Sequence, residues 1–351
     1  MITILDVAKE ANVSIATVSR VLNQSSHRVN ALTRAKVLRV IDKLDYHPNA
    51  LAQSLLKRRS MTIGIILPDI SNPYYAEIVR GIQDKADEEG YSILIQNTDR
   101  KTERITRAIY DFRERYTDGI IFAGGVALPD KIISIMKNFA SRAVVIGRFE
   151  HDMPSVRIDN QDAVFMAVSH LAESGYRDIA FVNGAASLSS TMADRLKGFK
   201  RALRHFHYPV NRNFLRSGAL TLEGGYTQIR ELIKARPRPR AVILANDQMA
   251  FGAVKAIKEA RLRIPEDIAL IGFDNVPLCS YFEPSITSIE IPRYKLGYAA
   301  MEILISLIAG QKTERMRQFK VELIKRQSTA PRGSGIHTQN KSASFSKNNK
   351  K

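Results

Sequence analysis

Few side chains in this 351-residue chain have the types and spacings that covalent chemistry needs. A single cysteine, Cys279, can form neither an intramolecular disulfide nor a cysteine-rich metal cluster. No Gly-x-Ser-x-Gly elbow, phosphate-binding loop, metal cluster or dinucleotide fingerprint occurs, which points away from an enzyme and from a bound cofactor or metal. What the chain has in excess is cationic hydrogen-bond donors, 53 Lys+Arg against 35 Asp+Glu, for a net charge of +18. The excess is uneven: residues 1–60 carry +6 and residues 331–351 carry +5, while the 270 residues of 61–330 carry only +7. Cations gathered at the chain ends suit a polyanion, nucleic acid above all, because neutralising phosphates releases condensed counterions. No basic amphipathic helix of the membrane-surface kind stands out.

Positioning those cations is the work of short elements at the N-terminus. Thr3 and Asp6 have the spacing of a capping pair and open a helix running to Ala11. Ser14 can cap a second helix over about Ile15 to Asn23, and Asn30 a third, whose Val37, Val40, Ile41 and Leu44 fall on one stripe. The Asn12-Val13-Ser14 connection has the length of a helix-turn-helix turn. Pro48 stops the third helix. The following Asn49 to Leu56 has helical propensity but is too short to hold a helix alone, and it ends in Lys57-Arg58-Arg59.

From Met61 the texture changes to apolar runs alternating with longer helical stretches. Thr62 to Leu67, Ser92 to Ile95, Gly119 to Phe122, Val144 to Ile146, Ile179 to Val182, Ala241 to Leu244 and Ile268 to Ile271 read as buried parallel strands. The fold class expected is therefore multidomain, an all-α headpiece followed by an α/β region of two doubly wound lobes. Residues 331–351, rich in Ser, Asn and Lys, read as a disordered basic tail with no coiled-coil heptad. The N-terminus lacks the pattern of a signal peptide and no run of 18 apolar residues occurs, so the expected location is the cytoplasm.

Five strings, in order, resemble the lactose-repressor (LacI/GalR) family of transcriptional regulators. They are Asp6-Val7-Ala8-Lys9 through Asn12 to Asn23, Tyr46-His47-Pro48-Asn49-Ala50, Leu67-Pro68-Asp69-Ile70-Ser71-Asn72-Pro73-Tyr74-Tyr75, Ala245-Asn246-Asp247-Gln248-Met249-Ala250, and Ile271-Gly272-Phe273-Asp274-Asn275. The resemblance covers all but the C-terminal tail. It implies a headpiece at 1–47 and a hinge helix and linker at 48–60. It also implies a periplasmic-binding-protein-like effector domain at 61–330, with an N-subdomain of about 61–158 plus 290–317 and a C-subdomain of about 159–289 plus 318–330. In such a protein the second helix enters the major groove. Ile15, Ala16 and Arg20 are then the base contacts, with Arg20 able to take guanine bidentately and the two apolar residues able to meet a thymine methyl. Ser14, Thr17, Ser19 and Asn23 match phosphate contacts. Asn49, Ala52 and Leu55 match a hinge that folds in the minor groove, where Leu55 is the wedge that kinks a central base step.

The large domain also resembles ribose- and galactose-type sugar-binding proteins, whose pockets combine stacking aromatics with planar charged or amide groups. Carried over motif by motif, the effector contacts are Asn72, Tyr74, Tyr75, Arg148, Arg195, Asn246 and Asp274, each just beyond an apolar strand or on the turn after it. Structural alternatives stay open for several: Asp274 as a helix cap, Arg195 paired with Asp194 on the surface, the tyrosines as core. Ile291 and Leu220 replace a glutamine and an aromatic found in relatives, which makes one side of the pocket more apolar. The function implied is a sequence-specific regulator acting as a homodimer on near-palindromic double-stranded operator DNA. It represses a carbohydrate-use operon until a sugar or sugar phosphate relieves binding. The alternatives are a corepressor-dependent repressor of a non-sugar pathway and a catabolite-control regulator using a phosphocarrier protein as corepressor. Against the last, Glu302 stands where that branch uses an arginine, and a carboxylate repels phosphoserine.

Overall fold

The computed structural model describes residues 2–22, 29–46, 59–124, 132–133, 142–148, 153–185 and 189–329. Helices α1 (Ile4–Glu10), α2 (Ile15–Leu22) and α3 (Ala31–Lys43) open the chain, and their starts are fixed locally. The Asp6 carboxylate accepts from the Thr3 backbone N–H at 2.8 Å and the Thr3 hydroxyl at 2.7 Å. Ser14 Oγ accepts from the Thr17 N–H, and Asn30 Oδ1 from the Leu32 N–H. The turn between α1 and α2 needs a left-handed residue, and Asn12 supplies it at φ 50°, a region asparagine tolerates better than most. Val7, Ala8, Ala11, Val18, Val21, Val37, Val40 and Tyr46 close a small core among the three helices. The side chains of Ile41 and Leu44 pack only at its margin.

Two six-stranded sheets follow. The first contains β1 (Thr62–Leu67), β2 (Ser92–Asn97), β3 (Gly119–Ala123), β4 (Ala143–Ile146), β5 (Ser155–Ile158) and β11 (Met316–Phe319), in the order β11-β5-β4-β3-β1-β2 with every pairing parallel. The second contains β6 (Ile179–Asn183), β7 (Leu215–Ser217), β8 (Ala241–Leu244), β9 (Ala269–Asp274), β10 (Thr287–Glu290) and β12 (Glu322–Ile324). Its order is β12-β10-β9-β8-β6-β7, and only β12 runs antiparallel. Each sheet with its helices is one lobe, and the chain crosses between lobes after β5, after β10 and after β11. Runs such as Gly119–Ala123 and Ala241–Leu244 are buried at every position because helices cover both faces of a parallel sheet.

On the first lobe, α4 (Pro73–Glu88) packs against α10 (Arg293–Ile308), with α5 (Thr102–Glu114) on the opposite side. The approach of α4 and α10 is set by glycine. A Cβ on Gly81 would lie 2.1 Å from the Tyr294 carbonyl oxygen, and one on Gly297 would lie 2.0 Å from that of Ile78. On the second lobe, α6 (Asn160–Glu173) pairs with α7 (Ser190–His205), and α8 (Leu222–Lys234) pairs with α9 (Asp247–Glu259). The strand expected over Ile268 to Ile271 instead runs from Ala269 to Asp274, because Gly272, Phe273 and Asp274 keep pairing with β10. Asp274 is thus the last residue of a strand rather than part of the turn after it.

Candidate functional site

On the headpiece, burial sorts the residues of α2 by face. Val18 and Val21 point into the small core, while Ser14, Ile15, Ala16 and Arg20 are exposed and Thr17 and Ser19 are half-buried. Ile15 leaves 44% of its surface in water, an unusual place for a branched aliphatic unless another surface covers it. Ser14 and Thr17 also join their hydroxyls at 2.9 Å beside the helix start. This outer face carries one guanidinium, two apolar side chains and a cluster of hydroxyls, the donor and methyl contacts that base edges and phosphates take. Lys43 and Glu10 pair at 2.7 Å behind it and tie α3 to α1. Asn23, Asn49, Ala52 and Leu55 lie outside the described residues.

Between the lobes is a cleft of about 740 Å³, counting its open mouth. It is lined by six of the seven expected contacts: Asn72, Tyr74, Tyr75, Arg195, Asn246 and Asp274. Ile291 and Leu220 line it too, so the apolar side inferred from the sequence faces the ligand space. Arg148 stands apart, pairing with Asp194 at 2.5 Å in an adjoining recess bounded by Arg157, Asn160, Gln161 and Gln318. The expected surface pairing of Arg195 with Asp194 is therefore replaced: Asp194 belongs to Arg148, and Arg195 is buried.

Arg195 is held on three sides. Its Nε donates to Asn160 Oδ1 at 2.9 Å, its Nη1 donates to the Ala245 carbonyl, and its guanidinium lies 3.5 Å from the centroid of the Phe273 ring. Planar stacking and a fork of donors are what arginine offers and lysine does not. Burial lowers its pKa, against the pull of Asp274. Asp274 caps no helix. It sits at φ 113°, a backbone conformation that only strain or surrounding structure sustains in a non-glycine residue. Burial raises its carboxyl well above the usual range, the nearby Asp247 adds to the rise, and Arg195 and Arg293 oppose it.

Asp247 is equally buried but fully engaged: it accepts from the Ser288 hydroxyl at 2.6 Å and the Val276 N–H at 2.8 Å. Burial raises its pKa as well, and the Ser288 bond is the largest restraint on that rise. Arg293, at the start of α10, holds Glu77 of α4 with two bonds of 3.0 and 2.9 Å and donates at 3.2 Å to the Asn275 carbonyl of the other lobe.

The two asparagines double as helix caps. Asn72 Oδ1 accepts from the Tyr74 N–H at the start of α4, and Asn246 Oδ1 from the Met249 N–H at the start of α9. Asn246 Nδ2 donates to the Leu220 carbonyl at 3.1 Å. Tyr74 and Tyr75 meet edge to face at 4.9 Å between centroids, and burial raises both phenols so that they remain protonated donors. They are core and cleft wall at once. Sequence reasoning missed Arg100, Arg157 and Asn160, which also line the cleft. The available signal was the run Ser155–Ile158, whose Val156 and Ile158 are buried while Arg157 between them is half-buried. Among the described residues no group of three or more His, Cys, Asp or Glu could hold a metal, and no helix is long and apolar enough to cross a membrane.

Known proteins show the same architecture. The family model for bacterial regulatory proteins of the lacI family matches residues 3–49, and that for a periplasmic binding protein-like domain matches residues 168–329. Catabolite control protein A of Priestia megaterium is 37% identical over 305 residues, 86% of this chain and 91% of that protein. The solved lac repressor dimer bound to operator and the anti-inducer ONPF superposes with a TM-score of 0.84 at 30% identity, covering 93% of this chain and 99% of that one. The transcriptional regulator CelR in complex with cellobiose superposes at 0.71 with 27% identity, covering 93% and 100%.

Proposed function

This chain belongs to the lacI family of bacterial regulatory proteins, and from that premise we propose that it represses a carbohydrate-use operon until a sugar or sugar phosphate occupies its cleft. It is a DNA-binding transcription regulator, a binding protein in which no covalent step is assigned to any side chain. The observation that carries the reading is the division of labour on α2. Ile15, Ala16 and Arg20 face outward together while Val18 and Val21 anchor the helix, so the reading face is presented on a fixed scaffold. Ser14, Thr17, Ser19 and Asn23 set the docking register on phosphates. Asn49, Ala52 and Leu55 of two copies fold in the central minor groove of a near-palindromic site, with Leu55 as the wedge.

The cleft combines buried tyrosines, cap asparagines, Arg195 and Asp274, the mixture of apolar faces and planar polar groups that a polyhydroxylated ring requires. The similar regulator CelR, solved in complex with cellobiose, supports a carbohydrate as the ligand. Ligand closing the two lobes shifts the paired first lobes and hence the separation of the hinges, a coupling of about 1–3 kcal/mol per effector. A thermal-shift screen of the full chain over pentoses, hexoses, disaccharides and their phosphates tests this. At least one carbohydrate should raise the melting temperature in proportion to the logarithm of its concentration. Shifts by purines or amino acids with none from carbohydrates would contradict it.

The relative catabolite control protein A supports a second reading, with a phosphocarrier protein as corepressor. The side chain that argues against it is Glu302, whose Oε2 takes Arg317 Nη1 at 2.5 Å. A carboxylate at that position repels a phosphoserine rather than pairing with it.

A further inference from the structure

Arg157 lines the cleft with a charge that the sugar reading leaves unexplained. It sits on β5, half-buried, where the main cleft meets the recess of Arg148 and Asp194. Among the described residues its side chain makes no hydrogen bond and no ion pair. A guanidinium partly withdrawn from water, with no partner among the described residues, is costly unless something meets it. The other charges nearby do not. Arg100 and Arg195 line the same cleft, and among the described residues Asp274 is its only carboxylate. In the recess, Asp194 is taken by Arg148, and Asp159 Oδ1 accepts from the N–H groups of Gln161 and Asp162 at 2.9 and 3.0 Å. The remaining recess groups are amides that can donate: Gln161, Asn160 and Gln318, the last in register with Arg157 across the β5 and β11 pairing.

We propose that the effector carries a phosphomonoester seated on Arg157 at the mouth of this recess, its sugar ring lying in the main cleft. The proposal rests on the carbohydrate reading and narrows it to a phosphorylated sugar. A phosphomonoester brings close to two negative charges and three acceptor oxygens, and a guanidinium fork meets two of those oxygens at once. Amide N–H groups of Gln318 and Gln161 are then available for the third. A carboxylate supplies one charge and two coplanar oxygens, which fits the fork but leaves the amides unmet. Arg100 and Arg195, lining the same cleft, add positive charge that favours the dianion.

The experiment is isothermal titration calorimetry of the full chain, in phosphate-free buffer at constant ionic strength. The probes are glucose and ribose, glucose 6-phosphate and ribose 5-phosphate, gluconate, and inorganic phosphate. For at least one sugar the phosphate ester should bind about tenfold or more tightly than the parent, a gap of about 1.4 kcal/mol. In Arg157→Gln the ratio of the two affinities should collapse toward unity, and in Arg157→Lys, which keeps the charge but loses the fork, it should be intermediate. Unchanged melting temperatures of the unliganded variants separate this from a folding defect. Equal affinities in the unaltered chain, a preference that survives Arg157→Gln, or binding of gluconate in place of the esters would each overturn the proposal. A neutral sugar that binds without gain from phosphate sinks the phosphate site alone, whereas no carbohydrate binding at all sinks the functional reading with it.

Discussion

The headpiece and the cleft place polar chemistry in opposite environments. In the headpiece the core is small and wholly apolar apart from the Tyr46 hydroxyl, and Ser14, Ile15, Ala16 and Arg20 of the outer face stand in water. In the cleft the polar groups are themselves the interior: Arg195, Asp247, Asp274 and Arg293 are all buried and restrain one another. A surface face can change its residues, and so its operator, without disturbing what holds it up. The cleft cannot change one charge without altering the electrostatics of the others, which is how occupancy by a ligand acquires a long reach.

That contrast is sharpest at Arg195. Arg195→Ala leaves Asn160 and the Ala245 carbonyl without their donor and removes the cation facing Asp274, so unfolding of the lobes by urea should come about 3–5 kcal/mol earlier. A loss under ~0.5 kcal/mol would place Arg195 in water and remove the distinction.

A smaller effect is expected from Asp274→Asn. The folded carboxyl titrates above its ordinary value, so between those two values the native state holds a proton that the unfolded chain has released. Stability from this group is therefore fully present below the ordinary carboxylate range and is lost as pH rises through the raised value. The unaltered chain should weaken as pH rises from the ordinary carboxylate range through the raised value, and Asp274→Asn should flatten that slope. Urea midpoints taken across the range measure it. A steeper slope in the variant would reverse the sign of the Asp274 interaction.

Local features of both regions were legible in the sequence. Thr3 with Asp6, Ser14 and Asn30 cap helices within three residues of themselves, and that reach lies inside any short window. Central strands such as Ile63 to Leu67 announced themselves as unbroken apolar runs. The strands that escaped were short, polar or at an edge: Leu215–Ser217, Met316–Phe319 and Glu322–Ile324 have no fully buried position, Thr287–Glu290 is mostly polar, and Ser155–Ile158 carries Arg157. With β5 unread, Arg157 had no strand to place it in the cleft. Partnerships across the chain were equally invisible. Arg148 meets Asp194 46 residues away and Arg293 meets Glu77 216 residues away, and neither pairing leaves a trace in local spacing. Six of the seven expected effector contacts converge because the carboxyl ends of the strands and the helices that follow them face the cleft, whereas Arg148 turns to Asp194 once the chain has left β4.

The central claim, that the exposed face of α2 reads base sequence, is tested most directly on the full chain by selecting duplexes from a randomised pool and measuring their affinities by fluorescence anisotropy at several salt concentrations. For Arg20→Ala the account predicts lost preference at one symmetric pair of positions, worth about 1–3 kcal/mol, with the salt slope nearly unchanged. A uniform loss on every duplex with a shallower salt slope would assign Arg20 to the phosphates and contradict it.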